Sequence, residues 1–217
     1  MRLYLDTADR PLAEPLLHTG LFWGVTTNPL LLQAAGLKTA QLPEFYAWAT
    51  GLGAKEVFFQ SWGPDAQSLV ARGLELRAIG ERVVVKLPVN RAGCQAAAEL
   101  RRQGCPVLLT AVYAPAQVLL GALAGAQYVA PYLSRIGEAG RNARAEVAAM
   151  QRLLRELESP PQILAASLRH PDDVVALSQD GVRAFTLGPA LARQLFDEPL
   201  TETAVLAFEQ AMKEVSS

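Results

Sequence analysis

One lysine of this chain, Lys86, lies where a charged amine is costly. It belongs to the segment Val83-Val84-Val85-Lys86-Leu87-Pro88, which is typical of a buried strand. Burial disfavours the charged form of an amine, so it lowers the pKa and leaves a free nucleophile near neutral pH. This is the chemistry of a lysine that forms an imine with a carbonyl substrate. The alternative is a lysine at a strand end that points into solvent or pairs with a carboxylate, and position alone does not separate the two.

Other polar side chains recur where short apolar runs end. They are Asp6, Thr26, Asn28, Gln60, Thr110, Tyr132, Arg135, Ser167 and Arg169. If the runs are strands of a parallel barrel, these side chains meet Lys86 at the C-terminal rim, where barrel enzymes place their active sites. The alternative for any one of them is a strand end that simply meets water.

The residue types suit imine chemistry, which needs proton transfers to and from hydroxyl groups. Asp6 is a candidate general acid and base, and Tyr132 with Thr110 and Gln60 is a candidate set for holding a catalytic water. Asp6 has a structural alternative, in which it holds a neighbouring threonine or asparagine.

Two further groups are candidates for substrate binding. Thr26 and Asn28 either bind sugar hydroxyls or cap a helix that starts at Pro29. Arg135, Ser167 and Arg169 follow the sixth and seventh apolar runs, where barrels often bind phosphate. Surface salt bridges are the alternative for the arginines.

The elements that position these residues repeat along the chain: a helical stretch ends, in most cases at glycine, and a short apolar run follows. The predicted strands are Leu3–Leu5, Phe22–Val25, Val57–Phe59, Val83–Val85, Val107–Leu109, Tyr128–Ala130, Ile163–Ala165 and Ala184–Leu187. Amphipathic helices are clearest at Asp65–Ile79 and Ala139–Leu157. Apolar strands alternating with helices predict a (β/α)8 TIM barrel, one α/β domain over residues 1–217, with an extra C-terminal helix over Pro199–Glu214. An open doubly wound sheet is the alternative, but no dinucleotide fingerprint or phosphate loop supports it.

The net charge and the cysteine content of the chain limit which classes of partner and which cellular compartment we expect. The net charge of −1 argues against nucleic acid or an anionic membrane surface as the main partner. Cys94 and Cys105 have no metal-ligand or CxxC spacing, and His18 and His170 stand alone, so we expect no metal site and a reducing cytoplasm. The N-terminal residues show no signal-peptide pattern.

The stretch from Gln103 to Ser134 carries no charged residue. Its length permits a membrane span. Three prolines interrupt it, so a buried strand–helix–strand unit is the favoured interpretation.

Several segments together resemble the short bacterial transaldolase family, whose members are called fructose-6-phosphate aldolases or small transaldolases. The segments are Leu5-Asp6-Thr7-Ala8, Gly24-Val25-Thr26-Thr27-Asn28-Pro29, Val85-Lys86-Leu87-Pro88, Thr110-Ala111-Val112-Tyr113, Gly125-Ala126-Gln127-Tyr128-Val129-Ala130-Pro131-Tyr132 and Leu164-Ala165-Ala166-Ser167. The resemblance runs over essentially the whole chain. It implies an imine on Lys86, an acid/base role for Asp6, and a water held by Gln60, Thr110 and Tyr132. It also implies phosphate contacts by Arg135, Ser167 and Arg169.

Two positions indicate a subgroup, because the resemblance associates glutamine at position 60 and tyrosine at position 132 with aldolases rather than transaldolases. Departures at Ile136-Gly137-Glu138 and Leu187-Gly188-Pro189 bear on substrate preference. The resemblance further implies a homo-oligomer, a ring-built decamer in which the C-terminal helix reaches across subunits. The charge-free helix Ala114–Ala124 independently fits a buried interface.

We therefore expect a class I aldolase that cleaves fructose 6-phosphate to dihydroxyacetone and glyceraldehyde 3-phosphate. Its partners are sugar phosphates and small hydroxyketones. No cofactor is expected, because the imine withdraws electrons as a metal would. A transaldolase that transfers the three-carbon unit is the nearest alternative, and a non-catalytic phosphosugar-binding barrel is the second.

Overall fold

The computed structural model describes residues 1–216, and these form a closed barrel of eight parallel strands in sequential order. The strands are β1 (Arg2–Asp6), β2 (Phe22–Thr26), β3 (Glu56–Gln60), β4 (Val83–Pro88), β5 (Val107–Val112), β6 (Tyr128–Pro131), β7 (Gln162–Ala165) and β8 (Ala184–Leu187). β8 pairs with β1 and closes the ring. The predicted (β/α)8 TIM barrel is confirmed.

Helices follow the strands and cover the outside of the barrel. They are α1 (Arg10–Leu17), α2 (Pro29–Ala34), α3 (Leu42–Gly51), α4 (Ala66–Arg77), α5 (Arg91–Arg102), α6 (Pro115–Leu123), α7 (Leu133–Glu138), α8 (Ala143–Arg155), α9 (Pro171–Gln179), α10 (Pro189–Gln194) and α11 (Pro199–Val215). A short 3-10 turn, Thr39–Gln41, precedes α3.

Alternation along each strand sorts the side chains between two cores. In β4, Val83, Val85 and Leu87 face outward and join the large core between sheet and helices. Val84 faces inward and joins the small core that fills the barrel. The inward parity of Val84 continues at Lys86, so the periodicity of the strand itself turns the amine into the barrel.

One predicted helix begins later than the sequence indicates. The pattern predicted a helix over Ala139–Leu157, whereas α8 begins at Ala143 and ends at Arg155. Gly140 has a φ of +76°, a left-handed conformation that interrupts a helix. Asn142 then caps α8, because its side chain accepts a hydrogen bond from the backbone N–H of Ala145.

The charge-free stretch forms β5, α6 and β6, as the strand–helix–strand interpretation predicted. Pro115 stands in the first turn of α6, where proline is tolerated because the N–H it lacks would have no helical partner. Within residues 1–216, none of the helices combines the length and the apolar character that crossing a membrane requires.

A polar network closes the N-terminal end of the barrel. The Glu56 carboxylate accepts hydrogen bonds from the hydroxyls of Tyr4 (2.5 Å) and Tyr128 (2.9 Å) and from the Gln127 amide (3.2 Å). Arg2 donates to the Tyr128 hydroxyl at 2.8 Å. Both tyrosine rings are fully buried, and their inward position leaves no opening toward the cavity at the other rim.

The C-terminal helix α11 stands apart from the barrel. None of its described side chains is buried. Leu200, Phe208, Met212 and Val215 recur at spacings of eight, four and three residues, so they share one face of the helix. All four are well exposed, so none of the residues that the structure describes covers this apolar face.

Candidate active site

A cavity of about 190 Å³ opens at the C-terminal rim of the barrel. Its lining includes every predicted site residue except Gln60: Asp6, Thr26, Asn28, Lys86, Thr110, Tyr132, Arg135, Ser167 and Arg169. Side chains from distant parts of the sequence meet here because parallel strands bring their carboxyl ends to one rim.

Lys86 lies at the inner end of the cavity. Only 6% of the residue is exposed, and its Nζ donates a hydrogen bond of 2.6 Å to the backbone carbonyl of Thr27. Burial lowers the pKa of the amine, while the Asp6 carboxylate opposes that shift. Lys86 therefore lies inside the barrel rather than in solvent, with a weakened hold on its proton and one carbonyl to orient it.

Asp6 is held from one side. Its Oδ1 accepts a hydrogen bond of 2.7 Å from the Thr26 hydroxyl, and that hydroxyl also lies 2.6 Å from the hydroxyl of Thr186. Thr26 and Asp6 are register partners on the neighbouring strands β2 and β1. The hydroxyl of Thr26 is thus engaged with Asp6, whereas the sequence left open sugar binding or helix capping for this residue.

Asn28 caps α2, since its Oδ1 accepts from the backbone N–H of Leu31 at 3.0 Å. This satisfies one of the N–H groups that lack a partner at a helix start. The residue also lines the cavity. Because only the carbonyl oxygen of its amide is used for the cap, the amide nitrogen remains as a donor.

Tyr132 and Thr110 form a hydroxyl pair on the opposite side of the cavity. Their oxygens lie 2.8 Å apart. Burial raises the pKa of Tyr132, and the hydrogen bond with Thr110 opposes this shift. The ring of Tyr113 packs edge-on against Tyr132, with centroids 5.7 Å apart, and fixes the plane of the phenol.

Gln60 does not join this pair in the structure. It is the last residue of β3 and the register partner of Lys86. Its side chain is half-buried, does not line the cavity, and makes no hydrogen bond within residues 1–216. Alternation along β3 places Gln60 on the inward face of the strand, as the prediction requires, and its side chain makes no direct hydrogen bond with Thr110 or Tyr132.

Two residues beside Tyr132 have strained backbones. Ala111 has a φ of +61° and Ser167 a φ of +58°, both left-handed values that non-glycine residues seldom adopt. Ala111 lies in the register shift between Leu109 and Val112, next to Thr110. Such strain concentrates at functional sites, where the surrounding fold enforces it. No residue type in these segments signals the conformation, so sequence reasoning missed it.

The mouth of the cavity carries positive charge. Arg135 and Arg169 are both exposed and both line the opening, with Ser167 between strand β7 and the second arginine. Arg135 has a long ion pair with Glu138 (3.8 Å) that water can replace. The pair of guanidinium groups and one hydroxyl is suited to bind a phosphate.

Sequence reasoning missed other lining residues. Thr186 on β8 and the apolar wall formed by Leu108, Ala130 and Leu164 all contact the cavity. For Leu108 and Ala130, alternation counted back from Thr110 and Tyr132 was the signal that would have found them, because each lies two residues before an inward polar group. Leu164 and Thr186 have no such polar residue two positions later. Within the described residues, no group of three or more His, Cys, Asp or Glu side chains is placed to hold a metal ion.

Comparison with known proteins agrees with this arrangement. The family model described as "Transaldolase/Fructose-6-phosphate aldolase" matches residues 3–217. A protein of Phenylobacterium zucineum (strain HLK1) named "Probable transaldolase" is 32% identical over 208 residues, which cover 96% of this chain and 94% of that protein.

Solved structures with low sequence identity share the fold. A thiamine phosphate pyrophosphorylase from Pyrococcus furiosus aligns with a TM-score of 0.61 at 14% identity, covering 88% of this chain and 87% of that one. A putative phosphonomutase from Burkholderia cenocepacia J2315 aligns with a TM-score of 0.62 at 13% identity, covering 96% and 94%. At these identities the likeness concerns the barrel alone.

Proposed function

Because the chain belongs to the transaldolase/fructose-6-phosphate aldolase family, we propose that it is a class I aldolase. The proposed reaction cleaves fructose 6-phosphate reversibly to dihydroxyacetone and glyceraldehyde 3-phosphate. One observation carries the proposal: Lys86 is a buried amine with a lowered pKa at the inner end of a polar cavity. The neutral amine is the form that attacks a carbonyl carbon.

The first half of the mechanism forms the imine. The lone pair of Lys86 Nζ attacks C2 of the open-chain ketose, and the C2 oxygen becomes a hydroxyl as a proton moves from nitrogen to oxygen. Protonation of that hydroxyl releases water and leaves a protonated imine. Asp6 is the carboxylate that lines this cavity, and its negative charge acts on the pKa of Lys86. We therefore assign these proton transfers to Asp6.

The second half breaks the carbon–carbon bond. A water held at the Tyr132–Thr110 pair takes the proton of the C4 hydroxyl, the C3–C4 bond breaks, and its electron pair moves into the imine to form an enamine. Glyceraldehyde 3-phosphate leaves. Protonation at C3 restores the imine, and hydrolysis frees dihydroxyacetone and the amine of Lys86. The separation of 2.8 Å between the two hydroxyl oxygens supports a shared water, because each hydroxyl can bond to the other and also to a third oxygen.

The substrate phosphate is assigned to the mouth of the cavity. Arg135 and Arg169 supply fixed positive charge, and Ser167 supplies a hydroxyl. A sugar phosphate that reaches from this mouth to Lys86 presents C2 to the amine at the inner end. Phosphate at one end and an imine at the other fix the orientation of the chain between them.

The imine is tested by trapping. Borohydride added with dihydroxyacetone reduces an imine to a stable secondary amine, and mass spectrometry of the digested protein locates it. We expect the adduct on the peptide that contains Lys86 and not on Lys38 or Lys55, which are exposed. Lys55→Met is the matched control and retains the adduct. A protein that binds sugar phosphate and yields no adduct is a non-catalytic barrel.

A second candidate function is transaldolase activity, favoured by the name of the relative from P. zucineum. In that reaction the enamine attacks a second aldose phosphate and does not release free dihydroxyacetone. We favour the aldolase because glutamine and tyrosine stand at positions 60 and 132, the combination associated with aldolases in the family resemblance. Fructose 6-phosphate given without an acceptor separates the two: release of dihydroxyacetone supports the aldolase, and its absence supports transfer.

We also propose that the protein works as a homo-oligomer, with a decamer as the expected form. The uncovered apolar face of α11 and the exposed Leu119, Leu120 and Leu123 of α6 support this, because apolar patches of this kind mark interfaces. Phe208 contributes the largest side chain of the α11 face. Native mass spectrometry of Phe208→Glu is expected to give a smaller assembly than the unmodified chain, and an unchanged mass would contradict a role for α11.

A further inference from the structure

Thr186 is a polar residue of the cavity that has no part in the mechanism above. Thr186 lies on β8, is 4% exposed, and lines the cavity with its hydroxyl toward Thr26. In the strand register it is the partner of Tyr4, two residues before Asp6 on β1. The strand that carries Asp6 is therefore flanked by two buried hydroxyls, from Thr26 on β2 and from Thr186 on β8.

The direction of the hydrogen bonds follows from the chemistry of the groups. An ionised carboxylate only accepts, so the Thr26 hydroxyl donates its single proton to Asp6 Oδ1 at 2.7 Å. That proton is then unavailable for Thr186. The contact of 2.6 Å between the two threonine oxygens must therefore run the other way, with Thr186 donating to Thr26.

This chain of donors orients the Thr26 proton. Without Thr186, the Thr26 hydroxyl is free to rotate its proton toward other acceptors. With Thr186 in place, a lone pair of Thr26 is occupied and its proton points at Asp6. Hydrogen bonds in a buried chain also strengthen one another, so removal of the first donor weakens the second bond.

We propose, on the basis of the proposed aldolase function, that Thr186 is a positioning residue. It acts through Thr26 to keep Asp6 Oδ1 permanently occupied, so that Oδ2 is the oxygen that exchanges protons with the substrate. Thr186 does not touch the reacting atoms. Its contribution is to keep the Asp6 carboxylate in one orientation during the catalytic cycle, while Asp6 gains and loses a proton.

A purely structural role predicts something different. Valine has nearly the shape of threonine, so a residue needed only to fill space tolerates valine and suffers from loss of the methyl group in serine. A residue needed for its hydroxyl behaves in the opposite way. The pair Thr186→Val and Thr186→Ser therefore separates the two roles by their order of activity.

The experiment measures kcat, KM and the rate of borohydride-trappable imine formation for the intact protein with fructose 6-phosphate. We expect Thr186→Val to lower kcat and the imine rate about tenfold with KM changed less than twofold, and Thr186→Ser to restore most of the loss. Thr50→Val on α3 is the control, since it removes a hydroxyl that donates to a helix carbonyl away from the cavity.

A double variant tests the path of the effect. If Thr186 acts only through Thr26, the Thr26→Val/Thr186→Val protein is no slower than Thr26→Val alone, because groups in one chain couple. Full additivity of the two losses overturns the inference. So does a Thr186→Val protein with the kcat of the unmodified protein, or a serine variant slower than the valine variant.

Two further outcomes are kept distinct. If valine at this position prevents folding, Thr186→Ala removes the hydroxyl without crowding, and its kcat relative to serine decides the question in the same way. If the unmodified protein forms no adduct and cleaves nothing, the proposed function fails and the inference falls with it. An active unmodified protein with indifferent variants overturns the role of Thr186 alone.

Discussion

Replacing Tyr132 with phenylalanine separates the two halves of the proposed reaction. The substitution removes one oxygen atom and keeps the ring, so the edge-on packing against Tyr113 is retained. What is lost is the hydrogen bond of 2.8 Å to Thr110 and the position of the water we assign to the pair. Lys86 keeps its contact with the Thr27 carbonyl, because no bond of Lys86 involves Tyr132.

The magnitudes of the two effects differ. One hydrogen bond contributes about 1 kcal/mol to stability, and leaving the buried Thr110 hydroxyl partnerless adds about 1 kcal/mol more, so the free energy of unfolding should fall by about 1–2 kcal/mol. Loss of a positioned acid–base group slows a proton transfer by about 10²–10⁴-fold. That corresponds to about 3–5 kcal/mol in the barrier to C3–C4 cleavage. The effect on chemistry therefore exceeds the effect on stability.

The assay follows both steps on the same protein. Imine formation with dihydroxyacetone is measured by borohydride trapping at timed intervals, and cleavage of fructose 6-phosphate by coupled detection of glyceraldehyde 3-phosphate in a single turnover. Tyr132→Phe is expected to trap at nearly the normal rate and to cleave at least a hundredfold more slowly, on the scale set by acid–base groups.

Tyr113→Phe is the matched control. It makes the same change on the neighbouring ring, whose hydroxyl forms no hydrogen bond within the described chain. We expect it to leave both steps within a few-fold of normal, on the scale of a surface hydroxyl. If Tyr132→Phe slows trapping and cleavage by equal factors, the hydroxyl does not serve the cleavage step, and the water assignment is refuted.

Three other changes have definite outcomes. Lys86→Met should abolish the adduct and raise the free energy of unfolding at pH 7. The pKa of Lys86 is lowered in the folded state, so between that pKa and the unfolded value of about 10.4 the unfolded chain binds a proton that the native protein does not. The gain in stability should therefore shrink as the pH rises toward 10. Gln60→Glu should shift the product ratio from free dihydroxyacetone toward transfer, measured by chromatography with and without an aldose phosphate acceptor. Glu56→Gln should lower stability by about 2 kcal/mol, read from denaturant unfolding, because an amide nitrogen would face the hydroxyls of Tyr4 and Tyr128.

Each of these has a contrary result. A Lys86→Met protein with no gain in stability at pH 7 would mean that the buried amine is not under strain in the native state. An unchanged product ratio in Gln60→Glu would remove position 60 from the set that separates aldolase from transfer. A Glu56→Gln protein as stable as the original would show that the network at the closed end contributes shape rather than bond energy, with Glu44→Gln on the surface as its control.

The barrel could be predicted from the sequence because the local hydrophobic patterns agree with the overall fold. Apolar runs such as Val83–Val85 are too continuous for strands with one wet face, and the structure buries both faces of β4. Strand ends were predicted one to three residues short in several cases. The reason is that only the apolar run was counted, and polar residues such as Asp6 and Thr110 end that run although they still pair with neighbouring strands.

The details of the site were harder to predict from the sequence than the fold. Parity along a strand indicates which side a residue faces but not how far its side chain reaches, and Gln60 shows the difference. Hydroxyl chains such as Thr186–Thr26–Asp6 depend on register between three strands, which single-strand patterns do not encode. The left-handed Ala111 is invisible for another reason, since alanine carries no preference for that conformation and the surrounding bulge imposes it.

The closed N-terminal end of the barrel determines the order in which the two products of the proposed reaction are released. Tyr4, Tyr128 and Glu56 close the N-terminal end of the barrel. Every molecule that reaches Lys86 therefore enters and leaves through the mouth of the cavity, which Arg135 and Arg169 line. In the proposed reaction, a three-carbon fragment bonded to Lys86 cannot pass an aldehyde phosphate bound at the mouth of the cavity. The phosphorylated product must therefore depart first and dihydroxyacetone last. Dihydroxyacetone, which rebinds the empty enzyme, should then inhibit competitively toward the ketose phosphate, and the aldehyde phosphate should inhibit noncompetitively.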